Sequence, residues 1–465
     1  MSKLPISNLV DLTINLIGAA QSVDGFGVPL IVDTQNIKGA GAGVPVLTTC
    51  FSLQDLLDAG YSTHDKAFVL ALHLLSFSPK RVKKFIVASV NSLSSAELTA
   101  VEAANSAWYT LLLTSRTSAN LQTVATWVET VAARRHVFIG ETQDAAAFTT
   151  APSVLSILET AGRVRSCILA RKANPQTLTL TISAALIAAN SVTMKVNGST
   201  PGGFPIVFAA DSDSTLAAIA AVLAADPAID TATVTPVGGG TDNDREIVIT
   251  ALDPLIPVQI TDYACTAGAS QNTAAIVETV AGAGAADAEL AGLLIPQGLG
   301  QATAAGKTLS GLTADDLSQS EFANVTGHGG NTYVTFGTIS QVQKGNCSGF
   351  VAPGAHVFLD TVFVRDRLEA DIQAAVLSVL APQVGKLPYN NNGIAAVAGA
   401  AINVCNKYVG LQMLEPFDVN TAWTIPDISQ IDPADKTARN LPGITASLVG
   451  TGAIQSVEMT VNITV

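Results

Sequence analysis

The sequence predicts an α/β (α+β) multidomain protein: a discontinuous body of mixed sheet with flanking helices, an inserted small β-rich domain, and extended β-strand arms at both ends. Strand and helix patterns alternate through the first third of the chain, which is typical of a sheet with a parallel component. After Pro175 the pattern changes to short strands and turns. Both termini alternate apolar and polar residues, as half-buried strands do.

The two termini read as isolated strands, within arms predicted at residues 1–22 and 443–465. The apolar positions of these strands are Val10, Leu12, Ile14 and Leu16 near the start, and Val457, Met459, Val461, Ile463 and Val465 at the end. Terminal segments stay ordered only when something holds them, so each strand needs a sheet edge to pair with. Another copy of the chain could supply that edge by strand donation, which predicts an assembly protein. The alternative is that the two strands pair with each other inside one domain.

The first part of the body is predicted over residues 23–172. Ser52 is a typical N-cap for a short helix, and Gly60 is placed to end it. A second helix begins at Lys66. The other elements predicted here are strands at residues 30–32, 84–90 and 136–140 and helices at residues 99–113, with a strand-like end near Leu111, and 120–133.

The β-rich insertion is predicted at residues 173–278, and the second part of the body at residues 279–442. A stretch rich in Ala and Gly at residues 280–286 is expected to return the chain to the body. The insertion has predicted strands at residues 178–182, 192–196, 232–234 and 246–250, the turn Asn197-Gly198, and one helix at residues 214–225. The later elements are strands at residues 333–336, 341–343 and 357–358 and helices at residues 364–380 and 394–409.

Composition narrows the function. Only 13% of the 465 residues are charged and 48% are hydrophobic, as expected when much of the exterior contacts like subunits. A net charge of −13 argues against direct contact with nucleic acid. No apolar run approaches the roughly 18–20 residues that cross a bilayer, so no membrane insertion is expected. Five scattered cysteines and a start without a signal-peptide pattern indicate synthesis in a cytoplasm.

Motifs for catalysis are weak. Residues 300–308 resemble a phosphate-binding loop, but Gly300 and Gly306 are one residue too far apart and no apolar strand precedes them. Cys347 lies between two glycines with the spacing of a nucleophile elbow, and His328 or His356 could in principle activate it. The five histidines show no metal-binding spacing. We therefore expect no enzyme activity, no cofactor and no metal, with a cysteine hydrolase as an alternative.

Segments along the body resemble the contractile tail sheath protein of a myovirus-type bacteriophage. No single segment is diagnostic, and their order carries the resemblance. The segments are FSLQDLL from Phe51, the helix end FSP from Phe77, ATWVE from Ala125, KTLSGL from Lys307, GNTYV from Gly330, FLD from Phe358, GKLP from Gly385, NGI from Asn392 and KTAR from Lys436. The insertion departs from this pattern and resembles the surface protrusions that sheath proteins tolerate.

The resemblance implies a structural subunit that stacks as hexameric rings in a helical sheath around an inner tail tube. A baseplate signal would trigger contraction, which drives the tube through the host envelope. The implied partners are other copies of the chain, the tail tube protein, and the baseplate and tail terminator proteins. The implied location is the virion tail, assembled in the host bacterial cytoplasm. A tail-like bacteriocin or another contractile injection system shares this sheath; a surface-array or adhesin subunit is the more distant alternative.

Two further expectations concern how such a sheath works. Glycine-containing segments at residues 18–27 and 443–452 would act as hinges while the donated strands keep their hydrogen bonds. The second part of the body would face the tube. A helix start of mixed charge, with Arg365, Arg367, Glu369 and Asp371, is the predicted tube contact; the alternative is an ordinary solvated helix face.

Overall fold

The computed structural model describes residues 25–77, 81–133, 135–235, 244–352, 355–381 and 386–455. The strands predicted at residues 10–16 and 457–465 lie outside these residues, so both stay predictions.

Strands and helices alternate through the first part of the body. Ser52 and Asp55 form a capping box at the start of the first helix, and Gly60, with a φ of +90°, follows its end. The elements are β1 (Pro29–Asp33), β2 (Val46–Cys50), α1 (Leu53–Asp58), α2 (Lys66–Leu74), β3 (Phe85–Ser89), α3 (Ser95–Ala104), β4 (Thr110–Leu113), α4 (Ser118–Thr130), β5 (Val137–Thr142), α5 (Val154–Thr160) and β6 (Ser166–Ala170).

The insertion follows β6 and consists of short strands around one helix. Some of its strands alternate buried and partly exposed residues, as does Thr177–Ile182, where Leu178, Leu180 and Ile182 point inward. Asn197 and Gly198 both have positive φ and form the predicted turn. The elements are β7 (Thr177–Ile182), β8 (Ser191–Val196), β9 (Ile206–Val207), α6 (Ser212–Ala224), β10 (Ile229–Thr235), β11 (Glu246–Ala251), β12 (Ile260–Thr266) and β13 (Ala274–Val280).

The chain then returns to the body. Two long helices dominate this part and pack against each other through Leu368, Ile372, Ala401 and Cys405. The elements are α7 (Ala286–Gln297), α8 (Gln319–Gly327), β14 (Asn331–Phe336), β15 (Ile339–Gln343), β16 (Asn346–Ala352), β17 (Ala355–Phe358), α9 (Leu359–Leu380), α10 (Asn391–Gly410), α11 (Val419–Ala422), β18 (Trp423–Thr424), α12 (Pro433–Ala438) and β19 (Thr445–Ala446).

The body is built on one mixed sheet of eight strands, in the order β15-β14-β6-β5-β4-β1-β3-β2. Neighbouring strands are parallel from β3 through β1, β4, β5 and β6 to β14, and only the outer pairs β2–β3 and β14–β15 are antiparallel. The strands from β1 to β6, except β2, are buried along their whole length, because helices cover both faces of the sheet. The predicted mixed sheet with flanking helices is confirmed.

Successive residues along each strand point to opposite faces of the sheet and belong to two separate hydrophobic cores. Ile31, Leu112 and Ile139 belong to the core that contains α2 and α7. Leu111 and Phe138 belong to the opposite core, which contains α3, α4 and α5. The insertion has a third core of its own, formed by α6 and two sheets with the strand orders β10-β11-β7-β13 and β12-β8-β9.

One sequence prediction for the body needs correction, and several body elements were not predicted, among them β2, α5, β6 and α8. The helix predicted at residues 99–113 is two elements: α3 ends at Ala104, and residues 110–113 form the buried strand β4. Asn105 leaves the helix in an extended conformation, and the apolar run that follows fits a sheet buried on both faces. Helix α7, directly after the Ala- and Gly-rich stretch, was not predicted, because its Asp287 and Glu289 interrupt the apolar pattern although both are buried.

Candidate functional site

Helix α9 begins at Leu359, before its predicted start at residue 364, so its charged residues lie inside the helix. They form a buried ionic cluster with the first part of the body. Asp366 is at the centre of this cluster. The Arg165 guanidinium donates to both Asp366 oxygens at 2.7 and 2.8 Å, and the Tyr109 hydroxyl donates at 2.8 Å. Arg365 donates its Nε–H to Asp366 Oδ1 at 3.0 Å. Tyr109 and Arg165 stand immediately before β4 and β6, so α9 docks at the amino ends of the parallel strands.

A second carboxylate, Glu369, lies one helical turn after Asp366. Arg135 forms ion pairs with both carboxylates, at 3.3 Å for Asp366. Burial opposes ionisation of Asp366, but Arg165, Arg365 and Arg135 outweigh it, so the pKa of Asp366 is held well below its usual value. Burial, together with the neighbouring Asp366, raises the pKa of Glu369 to about 7 against the opposing effect of Arg135. The pKa values of the two carboxylates in one cluster are therefore shifted in opposite directions.

The cluster corrects the expectation that all four charged residues of this helix start face a tube. Arg365 and Glu369 are only 6% and 1% exposed, because their charges are matched by partners inside the same chain. Arg367 and Asp371 are half-buried. Asp371 accepts a hydrogen bond from the Tyr408 hydroxyl at 3.0 Å, which links α9 to α10. Of the four residues, Arg367 and Asp371 keep side-chain surface that a partner could contact.

The segment after α10 folds back on itself. The Glu415 amide donates to Val449 at 2.9 Å, and the Thr451 amide donates to Met413 at 3.1 Å. Farther out, β18 and β19 form a two-stranded antiparallel sheet. Most of the predicted hinge at residues 443–452 is therefore held by backbone hydrogen bonds, and the chain leaves this ladder only after Thr451.

Among the described residues, no further strand pairs with the outer edges of this small sheet. Trp423 and Leu448 pack on the core between α9 and α10. Next to Leu448 in the chain, Val449 is 59% exposed, and beyond the ladder Ile454 is 87% exposed. Within the part of the chain that the structure describes, the Trp423 indole Nε1 has no hydrogen-bond partner. In the described ranges, the sheet thus combines unpaired strand edges with neighbouring exposed apolar side chains, which is the surface that an added strand requires.

An open groove of about 520 Å³ runs between the second half of α9 and α10. Small side chains line most of it, including Ala375 and Ser378 on α9 and Ala396 and Gly399 on α10. Of the described residues that line it, only Lys407 is charged. The groove can take a closely approaching apolar or weakly polar surface, and its composition offers no acid–base pair for catalysis.

The residues considered for catalysis have structural surroundings. Cys347 is completely buried, and burial raises the pKa of its thiol well above the usual value. His328 and His356 both face Glu159, at 2.6 and 3.6 Å. The Gly306 amide donates to Val342 at 2.8 Å, and a Cβ on Gly300 would lie 2.6 Å from the Val364 side chain. Gly300 thus allows close packing on α9, and Gly306 is bonded to the sheet edge.

The described residues contain no group of three or more His, Cys, Asp or Glu side chains placed to hold a metal ion. All five cysteines are buried as free thiols. None of the helices in the described ranges is both long enough and apolar enough to cross a membrane.

No protein-family model and no curated protein matches the chain. Solved structures do. A chain of the six-fold symmetrised baseplate of the anti-feeding prophage (AFP) matches with a TM-score of 0.53 and 11% identity, over 98% of both chains. The AFP helical sheath in the contracted state matches with a TM-score of 0.51 and 11% identity, over 97% of this chain and 98% of that one.

The sheath complex of an extracellular contractile injection system, PVC, also in the contracted state, matches with a TM-score of 0.53 and 11% identity. The match covers 97% of this chain and 96% of that one. At 11% identity, these structural matches establish a shared fold and nothing more specific. The chain therefore has the fold of contractile sheath proteins over nearly its whole length, and the resemblance predicted from the sequence is confirmed at the level of the fold.

Proposed function

We propose that this chain is the structural subunit of a contractile sheath. The observation that carries the proposal is the fold shared with chains of two contracted sheaths over 97% of this chain. Copies would polymerise as stacked hexameric rings in a helix around an inner tube, and contraction would drive the tube through the target envelope. A charged fraction of only 13% suits a protein whose exterior largely contacts other copies. The role is mechanical and needs no cofactor.

Two kinds of particle fit this role. In a phage, the protein would belong to the virion tail, would be assembled in the host bacterial cytoplasm, and would meet the tail tube, baseplate and tail terminator proteins. The structural likeness to AFP and PVC favours a second candidate, the sheath of a contractile injection system other than a phage tail. The subunit chemistry is the same in both, since copies of one chain must slide and rotate without separating.

The joints of the proposed polymer are the two terminal strands. Isolated two-stranded sheets are at best marginally stable, and a third strand adds both hydrogen bonds and covered apolar surface. Within the part of the chain that the structure describes, the small sheet of β18 and β19 has open edges, close in the chain to the exposed Val449. We place the donated strands of neighbouring copies, residues 10–16 and 457–465, at these edges. The chain after Thr451 is then the connection that must adapt when subunits rotate.

The other proposed surfaces follow the five-segment division predicted from the sequence. The insertion would project from the sheath as a protrusion, and residues 279–442 would form the inner, tube-proximal part. The tube contact would use Arg367 and Asp371 on α9, since Arg365 and Glu369 are committed to the buried ionic cluster.

Negative-stain electron microscopy of the purified protein tests the proposal. The full-length chain is expected to form wide, striated tubes, and a chain lacking residues 453–465 is expected to form none. Tubes from both would keep the sheath and reject the C-terminal joint. Monodisperse particles from both would reject the sheath.

A pair of point variants separates strand pairing from simple loss of length. Val461 and Asn462 are neighbours on opposite faces of the predicted C-terminal strand. Val461→Lys should abolish or shorten the tubes, because it places a charge on the apolar face. Asn462→Lys carries the same charge on the polar face and should leave the tubes intact. Equal loss from both variants would contradict a strand with one buried face.

A further inference from the structure

The insertion is joined to the body by two chain connections, one after β6 and one before α7. The insertion has a separate hydrophobic core, to which Leu180, Ile219 and Ile249 belong. Two flexible connections leave a domain free to swing, whereas an additional packed contact removes that freedom. The orientation of the insertion relative to the body therefore depends on whether other residues of the insertion pack against the body.

The loop between β11 and β12, residues 252–258, makes such a contact. Leu255 is only 2% exposed and belongs to the core of the body that contains α2 and α7, not to the core of the insertion. Two residues earlier, the Asp253 carboxylate lies 2.6 Å from Nζ of Lys66, the first residue of α2. One loop thus places an apolar side chain inside the body and a carboxylate on a body helix.

Gln176, the residue just before β7, forms hydrogen bonds with both ends of this loop. Its side-chain Oε1 accepts from the Val258 amide at 2.6 Å, and its backbone carbonyl accepts from the Ala251 amide at 2.9 Å. Its Nε2 donates to Glu278 at 2.9 Å, at the end of β13. Gln176 is 8% exposed, so these bonds are largely shielded from water. The loop is held in shape from the insertion side before it meets the body.

The returning connection packs against the same loop. A Cβ on Gly282 would lie 3.0 Å from the Pro254 carbonyl oxygen and 3.7 Å from the Gln176 side chain. Entry strand, loop and exit connection therefore form one packed junction at the base of the insertion.

We infer that the loop at residues 252–258 is a plug that completes the core of the body, with Leu255 as the inserted side chain. The insertion then contributes to the stability of the body, and it does not behave as an independent domain on two linkers. Because the plug and both connections are packed together, the insertion keeps its orientation when the body moves. This inference concerns the single subunit and does not depend on the proposed polymer.

The three tryptophans of the chain, Trp108, Trp127 and Trp423, all lie outside the insertion. Trp108 and Trp127 are buried in the body. Thermal unfolding of the unassembled full-length chain, followed by tryptophan fluorescence, therefore reports on the body alone. Leu255→Ala should lower the midpoint of this transition by roughly 5–10 °C, because it leaves a cavity in the core of the body. Trp108 and Trp127 belong to the core on the other face of the same sheet and report its unfolding.

Leu252→Ala is the matched control, because Leu252 stands in the same loop but is 57% exposed. It should shift the midpoint by less than about 1 °C. Leu255→Val, which removes one methylene, should fall between the wild type and Leu255→Ala and keeps the test usable if the alanine variant does not fold. A tryptophan transition that is unchanged in both Leu255 variants would overturn the plug.

Discussion

Helix α9 and the insertion are both fastened to the first part of the body, and they use opposite physical means. The start of α9 is attached through Asp366, Glu369 and three arginines in a buried cluster. The insertion is attached through the side chain of Leu255 and one partly exposed ion pair. Burial of an apolar group is favourable on its own, whereas buried charges are stable only while every partner is present.

The comparison assigns different weaknesses to the two junctions. The ionic junction should fail abruptly when one charge is removed, and it should respond to pH. The apolar junction should weaken in proportion to the volume removed, as the Leu255 series tests, and should be insensitive to pH. Both attachments hold the parts of the chain together, which is what the proposed rotation of subunits would require.

The largest effect is expected from Asp366→Asn. This change keeps the shape of the side chain but leaves Arg165, Arg365 and Arg135 facing a neutral group in a buried site. Removing one partner of a buried charge cluster typically costs about 3–5 kcal/mol. Urea unfolding of the full-length chain, followed by tryptophan fluorescence, measures the loss.

Asp371→Asn is the control for this variant, because Asp371 is on the same helix with a side chain that is 24% exposed. Asparagine can still accept the hydrogen bond from Tyr408, so the loss should stay below about 1 kcal/mol. Equal losses from the two variants would mean that the ionic cluster does not hold α9 in place.

A smaller effect separates the two carboxylates by pH. The pKa of Glu369 is raised to about 7, above its value in an unfolded chain. Its contribution to stability is therefore fully present below the unfolded pKa and is lost as pH rises through about 7. The stability of the wild type relative to Glu369→Gln should fall between pH 5 and pH 8, by on the order of 1–2 kcal/mol.

Urea unfolding at several pH values measures this difference. The lowered pKa of Asp366 has the opposite sign, since its contribution is present above the unfolded pKa and is lost only as pH falls below it. It therefore leaves the range from pH 5 to pH 8 nearly flat. If the stability of the wild type relative to Glu369→Gln rose with pH instead, the raised pKa of Glu369 would be contradicted.

These two junctions also show where sequence reasoning succeeds and where it stops. Strands β1, β3 and β5 were predicted because residues such as Ile86 and Ile139 stand in short apolar runs, a local pattern that a doubly covered sheet requires. Strands β2 and β6 were not predicted, and β4 was predicted as the end of a helix. The first helix was predicted from the cap at Ser52 and the stop at Gly60, which are also local.

The ionic cluster could not be found in this way. Asp366 is 201 residues from Arg165 and 257 residues from Tyr109, so its burial depends on contacts that no local pattern contains. A helix start with alternating charges looks the same whether water or a distant guanidinium surrounds it. The same reason hid α7, whose Asp287 is paired with Arg116, 171 residues away in the first part of the body. Leu255 gave no signal either, since one apolar residue in a loop is ordinary.

The smallest effect concerns the polar half of the plug. The side chains of Lys66 and Asp253 are 25% and 28% exposed, so water screens their ion pair although the atoms are 2.6 Å apart. Asp253→Asn should cost less than about 1 kcal/mol at low salt and still less at high salt, where the Debye length is shorter. The Leu255→Ala loss, in contrast, should be the same at both salt concentrations. If Asp253→Asn proved as costly as Leu255→Ala, the junction of the insertion would be ionic like that of α9, and the contrast between the two attachments would disappear.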